Sequence, residues 1–297
     1  MDVCFFARPN LAPGGDPAAF LDIARLADAA GLHSICFGEH LAMSADTDRY
    51  PYGPWRHGPD TAWMDPLITL SAVAGVTERI RLSTAILLAP LRPGLVLAKE
   101  VATLDVISGG RVELGLGTGW QAAEYRGVGL EWDQRQRRFD EVIDVCRLAW
   151  GPQPFSLPTS GGTETLTALP TPVQQRIPLY YGVKASQPNA ARIARFGDGW
   201  SPVGVRPDDV RRGVSTISAE FDKAGRDPAG LVVRIPLPAV LGEGGGVDVR
   251  ATFEASEEFI EAGATMFVCG FDHRLRSLDE AAELIGGYAE AGRGLTV

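Results

Sequence analysis

Residues 81–117, RLSTAILLAPLRPGLVLAKEVATLDVISGGRVELGLG, decide the fold. The segment opens on a β-rich run, Arg81–Leu88, and passes into a helical stretch, Gly94–Ile107. It stops at Gly109-Gly110 and resumes as a second β-rich run, Val112–Gly117. Strand, helix and strand in this order make a βα repeat, whose strands lie parallel in one sheet.

The same order repeats in both directions. Upstream, Val3–Arg8 reads as a strand, followed by helix Asp16–Ala30, with Phe20, Ile23, Ala24, Ala27 and Ala30 at helical spacing and Gly31 as its stop. Ser34–Glu39 is the next strand, and Pro66–Val76 the next helix, with Asp65 placed to cap it and Pro66 at its first position. Downstream, helix Asp133–Trp150 gathers Phe139, Val142, Ile143, Cys146 and Trp150 on one face, which offers a possible subunit interface. Leu179–Val183, Gly199–Val203, Leu231–Val240 and Thr265–Gly270 read as four more strands. Helices Pro188–Phe196, Pro207–Ala224, Ala251–Ala262 and Leu278–Ala291 follow them in turn.

Eight strands, each followed by a helix, is the count of a closed parallel barrel; a doubly wound open sheet more often stops at about five or six. The expectation is an α/β protein, one (β/α)8 TIM-barrel domain over residues 1–297. Two insertions interrupt it. Ala42–Met64, after strand two, holds Tyr50, Pro51, Tyr52, Trp55, His57, Pro59 and Trp63; Gly151–Ile177, after helix four, shows no helical or strand period. Loops after barrel strands form the catalytic mouth, so the first insertion belongs to the functional end.

Composition removes several classes of function. The 297 residues are 45% hydrophobic, and 28 Lys and Arg stand against 37 Asp and Glu, a net charge of −9. No basic run exists to neutralise phosphates, which argues against nucleic acid. No stretch approaches the ~20 apolar residues of a spanning helix, and Met1–Cys4 lacks the basic and apolar regions of a signal peptide. Cys4, Cys36, Cys146 and Cys269 are too scattered for a zinc pair, and His33, His40, His57 and His273 show no metal-binding spacing. A cytoplasmic protein without a dedicated metal is expected. Cys4, Cys36 and Cys269 fall in strands that become neighbours on closure and read as buried, inert thiols.

Candidate chemistry lies where strands end: Arg8 and Asn10; Glu39 and His40; 88–92; Thr118, Gly119 and Trp120; Lys184 to Ser186; Trp200 to Pro202; Asp272 and His273. An acid followed by an imidazole, Glu39-His40, suits proton exchange near neutrality, although His40 could equally cap a turn. Gly115-Leu-Gly-Thr-Gly119 fails the dinucleotide fingerprint, because Trp120 replaces the last Gly and no clear helix begins before Asp133. Its small residues either let a flat ring approach or serve as packing points. Gly182-Val183-Lys184-Ala185-Ser186, before Pro188 and a helix, is either an anion cradle or a plain turn. Trp55, Trp63 and Trp120 all lie in mouth loops, where a flat aromatic molecule would stack.

The runs Asp65–Ala74 (DPLITLSAVA), Thr77–Pro90 (TERIRLSTAILLAP), Ala98–Trp120 (AKEVATLDVISGGRVELGLGTGW), Ala190–Trp200 (AARIARFGDGW) and Gly225–Pro228 (GRDP) resemble the bacterial luciferase-like monooxygenase family. The likeness spans essentially the whole chain and is nearest to the branch that uses the deazaflavin coenzyme F420. It implies a (β/α)8 barrel, commonly dimeric, and hydride transfer between F420 and an organic substrate, with a separate reductase supplying reduced cofactor. Carried over by position, Glu39 and His40 match an acid–His pair facing the reactive ring, with His40 as proton donor or acceptor. Ala85 and Ile86 match a bulge whose non-proline cis peptide supports the ring; Thr118 and Gly119 match a strand end that contacts it. Gly182, Val183, Lys184, Ala185 and Ser186 match a phosphate loop, with Lys184 or Arg92 reaching the phosphate.

Two departures bear on substrate. The family's sugar-phosphate dehydrogenases have a catalytic Glu where this chain has Trp120, and a Trp where it has Ser44. Glucose 6-phosphate is disfavoured, and a small apolar, aromatic or unsaturated substrate beneath Trp55, Trp63 and Trp120 fits better. The alternatives are an FMN-dependent monooxygenase of the same fold fed by a reductase, and a non-catalytic flavin-binding protein.

Overall fold

The computed structural model describes residues 1–8, 17–47, 50–52, 55, 57, 61–243, 245–270 and 277–295. The candidate residues Asn10, Asp272 and His273, the loop residue Pro59 and the helix start Asp16 lie outside them.

Eleven strands are described: β1 (Asp2–Phe6), β2 (Ser34–Phe37), β3 (Arg81–Thr84), β4 (Leu87–Leu88), β5 (Val112–Gly117), β6 (Phe155–Thr159), β7 (Gly162–Leu166), β8 (Leu179–Tyr181), β9 (Gly199–Trp200), β10 (Val232–Pro236) and β11 (Met266–Gly270). Helices are α1 (Phe20–Ala30), α2 (Pro66–Ala74), α3 (Gly94–Ser108), α4 (Ala122–Gly127), α5 (Arg135–Trp150), α6 (Gln187–Phe196), α7 (Pro207–Lys223), α8 (Val249–Glu254), α9 (Glu257–Glu261) and α10 (Leu278–Gly294). Neighbours run β3-β2-β1-β11-β10-β9-β8-β5-β4, and pairing of β3 with β5 closes the ring. Every pair in the ring is parallel. With β3 and β4 as halves of one strand, this is the closed eight-stranded α/β barrel expected.

Local chemistry sets the helix limits. Asp65 accepts the Leu67 and Ile68 amides, each at 2.9 Å, and Pro66 needs no donor partner at the first position of α2. Gly31 and Gly109 end α1 and α3 at φ 78° and 67°, a region costly for residues with a Cβ.

Four expectations are corrected. The insertion at 151–177 is not without strands: β6 and β7 pair antiparallel around a turn in which Thr159 Oγ1 donates to Gly162 O (2.9 Å). A six-residue helix, α4, precedes residue 133. The predicted helix Ala251–Ala262 is two helices, because the Ser256 hydroxyl turns back to donate to Phe253 O (2.6 Å) and ends the first. The apolar face of α5 is no open interface: Phe139, Val142, Ile143 and Cys146 are buried in the main core. Packing against α3 absorbs them, Trp150 donating its indole N–H to Ala98 O (3.0 Å).

All four cysteines are free and buried. Cys4 and Cys36 pack with Met266 and Val268, whereas Cys269 faces the main core. Near the N-terminal ends of the strands the barrel is polar. Glu113, fully buried, accepts from Arg81 Nε (3.1 Å) and the Tyr180 hydroxyl (3.2 Å) and meets His33 Nε2 at 3.3 Å. Burial alone would raise its pKa, but His33, Arg234 and Arg81 outweigh that and hold it at about 2. Arg234, equally buried, donates to Ser201 Oγ (3.1 Å), Ser83 Oγ (2.7 Å) and Thr84 O (2.8 Å). Among the described residues no helix is long and apolar enough to cross a membrane.

Candidate active site

At the C-terminal ends of the strands the register itself makes a ledge. Ser83 pairs with Glu113 and Leu87 with Leu116, so four steps on one strand face three on the other. The extra residue is a β-bulge that separates β3 from β4. Ala85 and Ile86 occupy it, joined by a cis peptide, and Ala85 N donates to Phe37 O (2.8 Å). Ile86 projects between two glycines: a Cβ at Gly117 would lie 2.0 Å from its Cδ1, and one at Gly182 2.9 Å from its Cγ2. Only residues without side chains fit here, and the result is a flat apolar ledge. Thr118 and Gly119 follow the same strand end, Gly119 at φ +68° with Leu88 behind it. The Tyr125 hydroxyl anchors that end by donating to Thr118 O (2.7 Å).

Glu39 and His40 end their strand as a pair but face different partners. Glu39 turns inward, accepts the Leu88 amide at 2.6 Å and forms an ion pair with Arg92 at 2.6 Å. Burial raises its pKa against the opposing pull of Arg92. Arg92 also pairs with Asp65 (2.7 Å) and Glu100 (3.6 Å), so its charge is committed inward.

His40, its side chain 8% exposed, has Nδ1 3.2 Å from Glu124 Oε2 and 3.0 Å from Gln121 Nε2. Glu124 is buried, and its other oxygen accepts the Leu41 amide at 2.7 Å. Gln121 accepts the Ser44 amide (2.8 Å) and donates to Glu124 (3.1 Å) and Ala42 O (3.3 Å). A carboxylate oxygen accepts and an amide nitrogen donates, so Nδ1 donates to Glu124 in one tautomer, which leaves Nε2 without a proton, and accepts from Gln121 in the other. Neither Gln121 nor Glu124 was a sequence candidate. The signal was a polar pair spaced three apart at the start of α4, a helix too short for periodicity to reveal.

The three predicted tryptophans do meet, around His40. Ring centroids of Trp63, Trp55 and Trp120 lie 4.8, 5.5 and 5.9 Å from the imidazole, all edge-on. Trp55 and Trp120 are 5.1 Å apart, and Tyr50 joins both, at 4.8 and 5.3 Å. His57 packs on Trp55 at 4.8 Å; burial, then Arg8 and His40, lower its pKa to about 4. His57 is therefore neutral at neutral pH.

The loop 182–186 leads into α6, with Ser186 at the N-cap position and no side-chain cap. Trp200, a strand-end candidate, is buried and steadies the loop by donating to Val183 O (2.7 Å). Ser201 is likewise committed, to Arg234. The Lys184 side chain is exposed and carries no ion pair among the described residues. Backbone donors at a helix start with a lysine beside them fit a phosphate, and the ledge fits a planar ring. Among the described residues no group of His, Cys, Asp and Glu could hold a metal ion.

Comparison with known proteins places the chain in a family and agrees with the fold. The family model described as luciferase-like monooxygenase matches residues 1–245. An F420-dependent glucose-6-phosphate dehydrogenase of Microbacterium testaceum is 33% identical over 308 aligned positions, covering 93% of this chain and 85% of its own. Among solved structures, an F420-dependent secondary alcohol dehydrogenase holding an F420–acetone adduct superposes with a TM-score of 0.76 at 18% identity, over 98% of each chain. The FMN-bound oxygenating constituent of 3,6-diketocamphane monooxygenase from Pseudomonas putida gives 0.76 at 15% identity, over 100% of this chain and 99% of its own. At these identities the two structures speak to the fold alone.

Proposed function

Because this chain belongs to the luciferase-like monooxygenase family, we propose that it is an F420-dependent oxidoreductase acting on a small apolar or unsaturated substrate. The observation that carries this is the ledge of Ile86 between Gly117 and Gly182. It offers a flat apolar back to a tricyclic ring, and the loop 182–186, which starts at Gly182 beside Ile86, is available for the ring's phosphate-bearing chain. The relative from Microbacterium testaceum supports F420 as the ring's identity. A bound deazaflavin supplies or accepts a hydride at a ring carbon, its reduced form being replenished by a separate reductase.

This chain's own residues do the rest. Ala85 and Ile86 back the ring, Thr118 and Gly119 bound its edge, and Lys184 attracts the phosphate. His40, oriented by Glu124, gives or takes the substrate proton at Nε2. Glu39 does not touch the reacting atoms; it holds the β4 backbone and Arg92. Trp120, where sugar-phosphate dehydrogenases carry a Glu, makes the mouth apolar and favours a flat substrate over a phosphorylated sugar. A homodimer belongs to the reading, with Ile68 on α2 and Val96 and Ile107 on α3 as the exposed apolar positions that a second copy would cover.

Fluorescence titration with oxidised F420 and with FMN, at matched ionic strength, tests the cofactor. Tight F420 and weak FMN binding is expected. The reverse order would replace this reading with an FMN monooxygenase on the same ledge.

A further inference from the structure

Three buried donors at the mouth have no acceptor among the described residues: Nε of Arg8 and the indole N–H groups of Trp55 and Trp63. Buried polar groups in native proteins are nearly always paired, so three in one place call for an acceptor that the described residues do not supply. They belong to one neighbourhood. Arg8 and Trp63 line a single cavity with Phe6, Phe37 and Met64. The Trp55 and Trp63 rings stack at 6.2 Å. Arg8 stands 5.0 Å over the Phe6 ring, and no carboxylate among the described residues pairs with it. Burial lowers its pKa, yet a guanidinium stays charged at neutral pH. The nearby imidazole of His57 is neutral and adds no competing charge.

We propose that Arg8, Trp55 and Trp63 form a carboxylate-recognition subsite, and that the substrate is a planar unsaturated or aryl acid. A carboxylate brings the missing charge and only accepts hydrogen bonds, which matches three donors of which one is cationic. The walls are flat rings, which suit a conjugated skeleton lying beside them and not a hydrated tetrahedral anion. This deepens the oxidoreductase reading: the acid group would fix the skeleton while His40, 4.8 Å from the Trp63 ring, serves its unsaturated carbon.

The test is calorimetric titration of the cofactor-free full chain with cinnamate and with cinnamyl alcohol, its uncharged counterpart, at matched ionic strength. Saturable binding of cinnamate at least tenfold tighter than of the alcohol is expected. Arg8→Gln should lose at least tenfold for cinnamate and nothing for the alcohol. Trp63→Phe keeps the ring, removes the donor and should lose about threefold; it also serves if Arg8→Gln fails to fold. Equal affinity for acid and alcohol, no saturable cinnamate binding, or wild-type binding by both variants would overturn the subsite. Failure of F420 binding with cinnamate discrimination intact would instead remove the hydride-transfer reading and leave the subsite standing.

Discussion

The Nδ1 atom of His40 and the Oε2 atom of Glu124 stand 3.2 Å apart, although 84 positions separate the two residues in the chain. The barrel joins them by placing the end of β2 beside the start of α4. Glu124 thus meets the imidazole at Nδ1, and the proton role proposed for His40 predicts that Glu124 helps set which nitrogen faces substrate. His40→Ala should lower turnover by about 10²–10⁴-fold while cofactor affinity changes by less than about twofold. Glu124→Gln, which can still accept from Nδ1 but no longer balances a charged imidazole, should cost about tenfold and shift the pH profile of kcat. Full turnover in the first variant, or an unshifted profile in the second, would remove the proton role.

Lys184 predicts a salt-dependent contribution to cofactor binding. Its exposed charge beside the start of α6 resembles a surface ion-pair partner, so Lys184→Ala should weaken F420 by about two- to fivefold at low salt. The difference should shrink towards nothing near 1 M salt, where charges are screened within about 3 Å. Titrations at two ionic strengths decide it.

Gly115 is where the barrel interior tolerates no Cβ at all. The added atom would sit 2.1 Å from Thr84 O, a backbone atom, and 2.2 Å from Nη2 of Arg234, whose guanidinium is locked in three hydrogen bonds. Gly115→Ala should lose about 3 kcal/mol in urea unfolding. Gly127→Ala, with nothing within 4 Å and a helical position, should gain about 0.5 kcal/mol. Equal stability of the two variants would contradict the packing described.

Glu113 and His33 make stability depend on pH in opposite directions. The Glu113 carboxyl titrates at about 2 in the folded chain, below its unfolded value of about 4.3, so its contribution is complete above that value and drains away towards pH 2. His33 is shifted up, Glu113 and Asp2 prevailing over burial, so its contribution is present below about pH 6.5 and is lost as pH climbs through the raised value. Urea midpoints should fall on both limbs. Glu113→Gln should cost about 3–5 kcal/mol at pH 6 and flatten most of both limbs, because Glu113 is the partner they share.

The barrel was legible because its own strands and most helices carry their period and stop signals, as in Gly94–Ile107 closed by Gly109-Gly110. The bulge was not: RLSTAILL is uniformly apolar past its fourth residue, and only the family resemblance marked Ala85-Ile86. The hairpin β6–β7 escaped because residues 162–165 are exposed and carry no apolar alternation. The face of α5 was read correctly as apolar, but amphipathicity does not say whether a helix covers its own core or a neighbour. At the site, residue types were legible and partners were not. Glu39 and His40 follow each other in sequence, yet Arg92 takes one and Glu124 the other, a division that only the barrel's placing of residue 92 and the start of α4 around the end of β2 creates.

Arg92 holds Glu39 at one edge of the 42–64 insertion and Asp65 at the other, at 2.6 and 2.7 Å. Both roots of the mouth loop are thereby riveted to one guanidinium, which is itself tied to α3 through Glu100. Between those roots the insertion touches the barrel mouth through the Ser44 amide on Gln121 and the Tyr50 and Trp55 rings on Trp120. The rivet predicts that the lining between the roots can be changed without loosening β2 or the start of α2, provided Arg92 and its two acids stay unchanged. A graft that keeps Glu39, Asp65 and Arg92 would retool the mouth while leaving the ledge behind it undisturbed.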